Sequence, residues 1–414
     1  MKPLHHPFAL VILMVCGCLS PPVAGADWPQ FLGPQRDGMS TETGLLAAWP
    51  RAGPKVVWEQ PVGSGLSGPV VAGGRLILHH RLQDNEVVSC FDAVRGTLHW
   101  RFEAPTHYED ELGAPGDTGP RSTPLITGNR VYTLGAEGRF LCLELDSGKK
   151  VWERALNQEY RVPRSFFGVG TSPLLEGNLL VVNVGGPEAG IVAFDRDTGK
   201  EVWKATDHQA SYSSPVAATA GGTRHLFVFT REGLVSLDPR TGKVHFSKRW
   251  RARIHASVNA ATPLVVDEHV FVSASYNTGA VLWRLRPDGV DEVWKSDDVL
   301  SNHFNTSVHR GGYLYGLDGR QEEGARLRCV EWKTGKVRWT EERFGCASLV
   351  WAEGNLIVLN ERGELLLVEA TPEGYREKAR AAVLTRPCRA HLALADGRLY
   401  GRDSRRLVCW ELKK

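Results

Sequence analysis

The sequence predicts an all-β protein: an eight-bladed β-propeller of four-stranded antiparallel blades, closed by an N-terminal strand. Three observations predict it. First, a motif of small residue, polar pair, Thr/Ser-Gly-Lys and large aromatic recurs as CLELDSGKKVW at Cys142–Trp152 and AFDRDTGKEVW at Ala193–Trp203. Further copies are CFDAVRGTLHW at Cys90–Trp100, SLDPRTGKVHF at Ser236–Phe246 and CVEWKTGKVRW at Cys329–Trp339, with a weaker one ending at Trp294. A period of roughly 40 to 50 residues marks a solenoid or propeller, because one unit cannot bury its own apolar face. Second, eight short apolar runs follow small polar residues, near Pro69, Pro124, Pro173, Pro215, Pro263, Ser307, Ser348 and His391. Third, one aromatic-ended strand, Val56–Glu59, precedes the first run, and the chain stops after Val408–Glu411 with no strand to follow. The early strand can complete the last sheet, leaving no open edge.

Along the chain, residues 1–26 read as a signal peptide. Lys2 is positive, Phe8–Val15 is apolar and Ala24-Gly25-Ala26 suits peptidase cleavage before Asp27. The reading is an exported protein of the periplasm or cell envelope. Val15-Cys16-Gly17-Cys18 resembles a lipobox, an alternative that would put a lipid anchor on Cys18. No later apolar run approaches the roughly 18 residues of a membrane helix. Residues 27–54 are a Trp/Pro/Gly-rich leader, expected to strap across the side or end of the ring through Trp28, Phe31 and Trp49. Residues 55–414 are the propeller. In each motif the chain turns at a glycine (Gly96, Gly148, Gly199, Gly242, Gly335), where positive φ carries no steric cost.

The Asp-x-x-Thr-Gly-Lys-x-x-Trp repeat resembles that of the pyrroloquinoline-quinone-like (PQQ-like) β-propellers from about Val56 to Lys414. Asp27-Trp28-Pro29-Gln30-Phe31-Leu32-Gly33-Pro34 is similar to the leader of exported bacterial members. The family includes quinone-dependent dehydrogenases and a non-catalytic propeller lipoprotein that helps assemble outer-membrane β-barrels. The resemblance implies a non-catalytic binding scaffold of the envelope, with a PQQ- and calcium-dependent oxidoreductase as the alternative. The dehydrogenases cover the quinone with a vicinal cysteine pair, and this sequence has no adjacent cysteines. No cofactor is assigned. A Gly-x-Ser-x-Gly elbow is also absent from the sequence.

Composition fits a β-rich globular chain: of 414 residues 42% are apolar, 44 are Gly and 13 are Trp. A net charge of +3, with Lys and Arg scattered among Asp and Glu, argues against a nucleic-acid partner. The repeat tryptophans are expected between blades, as packing and not as a ligand cage. Cys90, Cys142, Cys329 and Cys409 occupy the slot held by Ala193 and Ser236 in sister repeats, so they read as small buried side chains. Cys346 and Cys388 precede successive inner strands, and a bridge between them stays open.

Function is expected where the loops joining outer to inner strands converge on the channel mouth. Four segments supply the candidates. Pro105–Arg121 carries His107, Tyr108, Glu109, Asp110 and Arg121; Asn157–Gly170 carries Arg161 and Arg164. Arg253 and His255 follow, then Asp297, His303 and Asn305. The expected occupant of this funnel is an envelope protein or a small ligand.

Overall fold

The computed structural model describes residues 26–109, 118–163, 167–252, 254, 257–286 and 289–414. Its strands form eight four-stranded antiparallel sheets. Blade 1 runs outward through Val70–Ala72, Arg75–Leu82, Asn85–Asp92 and Leu98–Pro105. The next six blades repeat this order, with inner strands beginning at Leu125, Leu174, Val216, Leu264, Val308 and Ala347. Blade 8 takes Ala393–Ala395, Arg398–Arg402 and Arg406–Glu411 from the C-terminus and its outer strand, Val56–Pro61, from the N-terminal side. Trp58 pairs with Cys409 and Gln60 with Leu407, so closure falls where the sequence placed it. Among the described residues the helix is a single turn, Leu156–Glu159.

The repeat spacing has a direct geometric meaning. The slot residue and the aromatic ten positions later are cross-strand partners: Cys90 with Trp100, Cys142 with Trp152, Ala193 with Trp203, Ser236 with Phe246 and Cys329 with Trp339. A register shift follows each slot. Each tryptophan then leans onto the turn of the next blade. A Cβ on Gly242 would sit 2.5 Å from the Trp203 ring, and one on Gly148 equally close to Trp100. The same indole donates to a carbonyl beside that glycine: Trp100 Nε1 to Leu145 O (2.8 Å), Trp203 Nε1 to Pro239 O (3.1 Å) and Trp58 Nε1 to Ala93 O (3.0 Å). The glycine is therefore required twice, for its positive φ (+71° at Gly242) and for the ring above it.

The apolar core lies between blades, in clusters shared by neighbours. Leu174, Val181, Ile191 and Trp203 of blade 3 pack with Leu226, Val228 and Leu237 of blade 4. All six described cysteines are buried and free, so Cys346 and Cys388 do not form a bridge. Burial pushes the Cys90, Cys142, Cys329 and Cys409 thiols up to about 12, as expected of small apolar side chains.

The leader departs from the expected strap. Its last part does lie on the ring's side: Leu46 N donates to Leu412 O, and Trp49 joins the cluster holding Ala379 and Ala381. Ala379 takes the place of the repeat aromatic in blade 7, opposite Leu367, so Trp49 joins the core where the repeat falls short. The first part instead lies on the inner strands that line the channel. Trp28 exchanges two backbone hydrogen bonds with Val71, and Pro29 O accepts from Ile126 N (2.8 Å). Arg36, buried, donates to Ser172 O and Pro173 O of blade 3. The chain returns along blade 7, where Ser40 N donates to Trp351 O and Trp351 N to Gly38 O. The leader thus turns inside the channel, and Phe31 stands near the turn.

Candidate functional site

The inner strands are tied to one another at their starts. Gly68 N donates to Thr123 Oγ1, Thr123 N to Ser172 Oγ, Ser172 N to Ser214 Oγ, and Thr262 N to Thr306 Oγ1. In these four junctions a small polar residue ahead of an inner strand holds its neighbour's backbone, which braces the channel mouth.

A cavity of about 170 Å³ opens at that rim. Seven blades each give it the residue four positions before their inner strand: Leu66, Arg121, Gly170, Tyr212, Ala260, Phe304 and Arg389. Phe167, Val258, His303 and His391 come from the same loops, Gln321 from a loop of blade 6, and Phe31 from the leader. Phe31 meets His391 edge to face at 4.7 Å. Phe167 N donates to the Tyr212 hydroxyl (3.0 Å), and the two rings lie 5.9 Å apart. The Arg121 guanidinium lies 5.7 Å from the Phe167 ring centre and 5.8 Å from that of Tyr108. His303 is held on both nitrogens, by Tyr276 Oη at 2.8 Å and Gln321 Oε1 at 2.9 Å. Burial lowers its pKa, and burial takes that of His391 down to about 4, so both rings are neutral at pH 7. Among the described residues of the lining, the formally charged groups are Arg121 and Arg389.

Of the residues expected from sequence, Arg121 and His303 line this cavity, and Tyr108, buried, backs Arg121. Arg81 braces the Tyr108 loop by donating to Tyr108 O (2.6 Å) and Thr118 O (3.2 Å). His107, Glu109, Arg161 and Asp297 are exposed and not part of the lining. Asn305 is buried and donates its amide to Ala347 O of blade 7, a scaffold contact. Asp110, Arg164, Arg253 and His255 lie outside the described residues. Sequence reasoning missed Phe31, Tyr212, Phe304, Gln321, Arg389 and His391. The signal was present for three of them: Tyr212, Phe304 and Arg389 share one repeat position with Arg121.

Calcium-assisted quinone chemistry needs several oxygen ligands converging on one cation. Among the described residues no three His, Cys, Asp or Glu side chains converge so as to hold a metal. The described residues of the lining offer such a cation the Gln321 amide and the Tyr212 hydroxyl and no carboxylate.

Comparison with known proteins gives consistent relatives. The family model described as outer membrane protein assembly factor BamB matches residues 38–118 and 84–341. The BamB of Moranella endobia (strain PCIT) is 22% identical over 321 residues, 74% of this chain and 78% of the relative. The crystal structure of BamB from Moraxella catarrhalis superposes with a TM-score of 0.63 at 17% identity, over 87% of this chain and 98% of that one. Quinohemoprotein alcohol dehydrogenase from Comamonas testosteroni superposes with a TM-score of 0.68 at 13% identity, over 93% of this chain and 80% of that one. At such identities the two superpositions speak to the fold alone.

Proposed function

This chain belongs to the family of the outer membrane protein assembly factor BamB, and from that footing we propose that it is a non-catalytic, exported binding scaffold of the bacterial cell envelope. Its partner or ligand face is the channel mouth. The observation that carries this reading is the convergence of seven equivalent loop positions on one cavity. A rigid rim with variable residues at one repeat position is a binding surface built without disturbing the blades. The relatives named for outer-membrane assembly support an envelope protein as the partner. Residues 1–26 act as the export signal, with Cys18 the alternative lipid anchor, and residues 27–54 act as a strap and channel filler for the propeller of residues 55–414.

Mass spectrometry of the mature protein from its own host tests this reading. The expected result is a chain beginning at Asp27, or an acylated one beginning at Cys18, isolated with envelope proteins. A chain retaining Met1, or one carrying a bound quinone, would overturn it.

A further inference from the structure

Between blades 8 and 1 the chain crosses from the closing strand into the ring through residues 62–64. Three hydrogen bonds seat the crossing. Val62 N donates to Arg405 O (2.8 Å), Gly63 N to His80 Nδ1 (3.0 Å), and Arg81 N to Ser64 O (2.8 Å). Arg402 of blade 8, 1% exposed, donates to Gly63 O. A Cβ on Gly63 would sit 1.7 Å from Arg81 O, so only glycine fits here. Gly63 is thus held by one side chain from each blade: His80 takes its N–H and Arg402 its carbonyl. The hold continues to the mouth. Leu66, three residues on, lines the cavity, and Leu66 N and Ser67 N both donate to Pro120 O (2.9 and 3.0 Å).

His80 can hold Gly63 only as a neutral ring. Its Nδ1 accepts from Gly63, and its Nε2 donates to Ser89 Oγ at 2.9 Å. A proton on Nδ1 would face the Gly63 N–H, donor against donor. It would also set a second buried cation near Arg402. Among the described residues, the charged or titratable groups around His80 are Arg402 of blade 8, Arg101 of blade 1's outer strand and His79 in its own strand. His79 lies on the opposite face of that strand, 3.9 Å from Glu86 and near Arg139 of blade 2. Beside Arg402 are Asp403, which pairs with Arg406 at 3.6 Å, and Cys388, whose thiol burial pushes up to about 12.

We propose that His80, Gly63 and Arg402 form an acid-released clasp on the closing seam: acid opens residues 62–67 locally, ahead of unfolding, and loosens the mouth between blades 8 and 1. The proposal stands whether or not the mouth is the ligand face. Burial first, then the charges of Arg402, His79 and Arg101, take the His80 pKa down to about 3. An imidazole released to water protonates near 6.5. The clasp therefore has its full strength above about pH 6.5 and weakens as pH falls toward about 3. Its opening should grow about 25-fold between pH 7 and pH 5, the linkage of a single proton.

Amide hydrogen exchange on the purified protein, corrected for the intrinsic rate at each pH, tests the clasp. Protection at Gly63, Leu66 and Ser67 should fall about 25-fold from pH 7 to pH 5. The blade 4 strand Thr223–Phe229 should stay the better protected of the two regions at both pH values. A flat profile at the clasp overturns the proposal. So does equal protection of clasp and blade 4 strand, which means that the whole ring opens together. Both outcomes are read on the unmodified protein, so misfolding of a variant cannot obscure them. His80→Gln should flatten the profile, because a glutamine accepts from Gly63 N and does not titrate. A slope that persists in that variant assigns the proton to another group and overturns the proposal. Should His80→Gln fail to fold, His391→Gln replaces it, since burial takes this mouth histidine down to about 4. A clasp slope that survives His391→Gln supports His80 as the titrating group; a slope lost with it overturns the proposal.

Discussion

The outer rim of the ring and the channel mouth are built from the same repeat, yet they obey different rules. On the rim Trp58, Trp100, Trp152, Trp203 and Trp294 meet the glycine of the next blade, with an indole hydrogen bond to a carbonyl near it. The contact recurs because both partners are specified by the same motif. At the mouth one repeat position carries Leu66, Arg121, Gly170, Tyr212, Ala260, Phe304 and Arg389 in turn. Nothing in blade packing dictates those identities. Uniformity marks the part that holds the ring together; variety at a fixed position marks the part free to bind.

Substitutions can break this contrast. The largest effect should come from the rim. Trp203, 8% exposed, fills the wedge between blades 3 and 4, and Trp203→Ala should cost about 3–5 kcal/mol in denaturant unfolding. Trp152 is half-buried and should cost less. Gly242→Ala should cost about 2 kcal/mol, since the added Cβ would meet the Trp203 ring at 2.5 Å. A loss below about 0.5 kcal/mol for either Trp203→Ala or Gly242→Ala would place that contact outside the core.

The seam where the chain ends meet gives a pH test. His80 Nδ1 accepts from Gly63 N (3.0 Å), so its proton sits on Nε2, which donates to Ser89 Oγ at 2.9 Å. Burial, then the nearby charges of Arg402, His79 and Arg101, lower its pKa to about 3. In the unfolded chain the ring protonates near 6.5. As pH falls from 7 to 5 the unfolded state takes up a proton that folded His80 refuses, so stability falls, by about 2 kcal/mol for this residue. His80→Gln should remove that share of the acid slope while His79, lowered by burial in the same way, retains its own. An unchanged slope would show that His80 is protonated in the fold. The smallest effect belongs to the mouth: Phe304→Ala, at a half-buried position there, should shift stability by less than about 1 kcal/mol.

The same contrast explains what could be read in the chain. The slot-to-aromatic spacing is local, and it became the Cys90–Trp100 and Ala193–Trp203 pairs directly. Closure by Val56–Pro61 followed from counting strands at the two ends. The mouth is assembled across the whole ring, so Phe31 and His391 touch although some 360 residues separate them. Long polar loops drew attention to His107 and Asp297, which are exposed and are not among the residues lining the cavity. Loop polarity reports solvation; position relative to the inner strand reports the mouth. Asn305 is buried and gives its amide N–H to Ala347 O, a use that residue type and loop position do not announce in the sequence. The leader gave no period at all, and its turn inside the channel depends on inner strands from several blades.

The claim that binding is confined to the mouth is most directly tested by site-specific photocrosslinking in the host envelope. One photoreactive residue replaces Gln321 at the cavity and another replaces Val202, 52% exposed on an outer strand. The account predicts discrete crosslinked envelope proteins from position 321 and none from position 202. Crosslinks from position 202 alone would place the interface on the outer edges of the blades and contradict it.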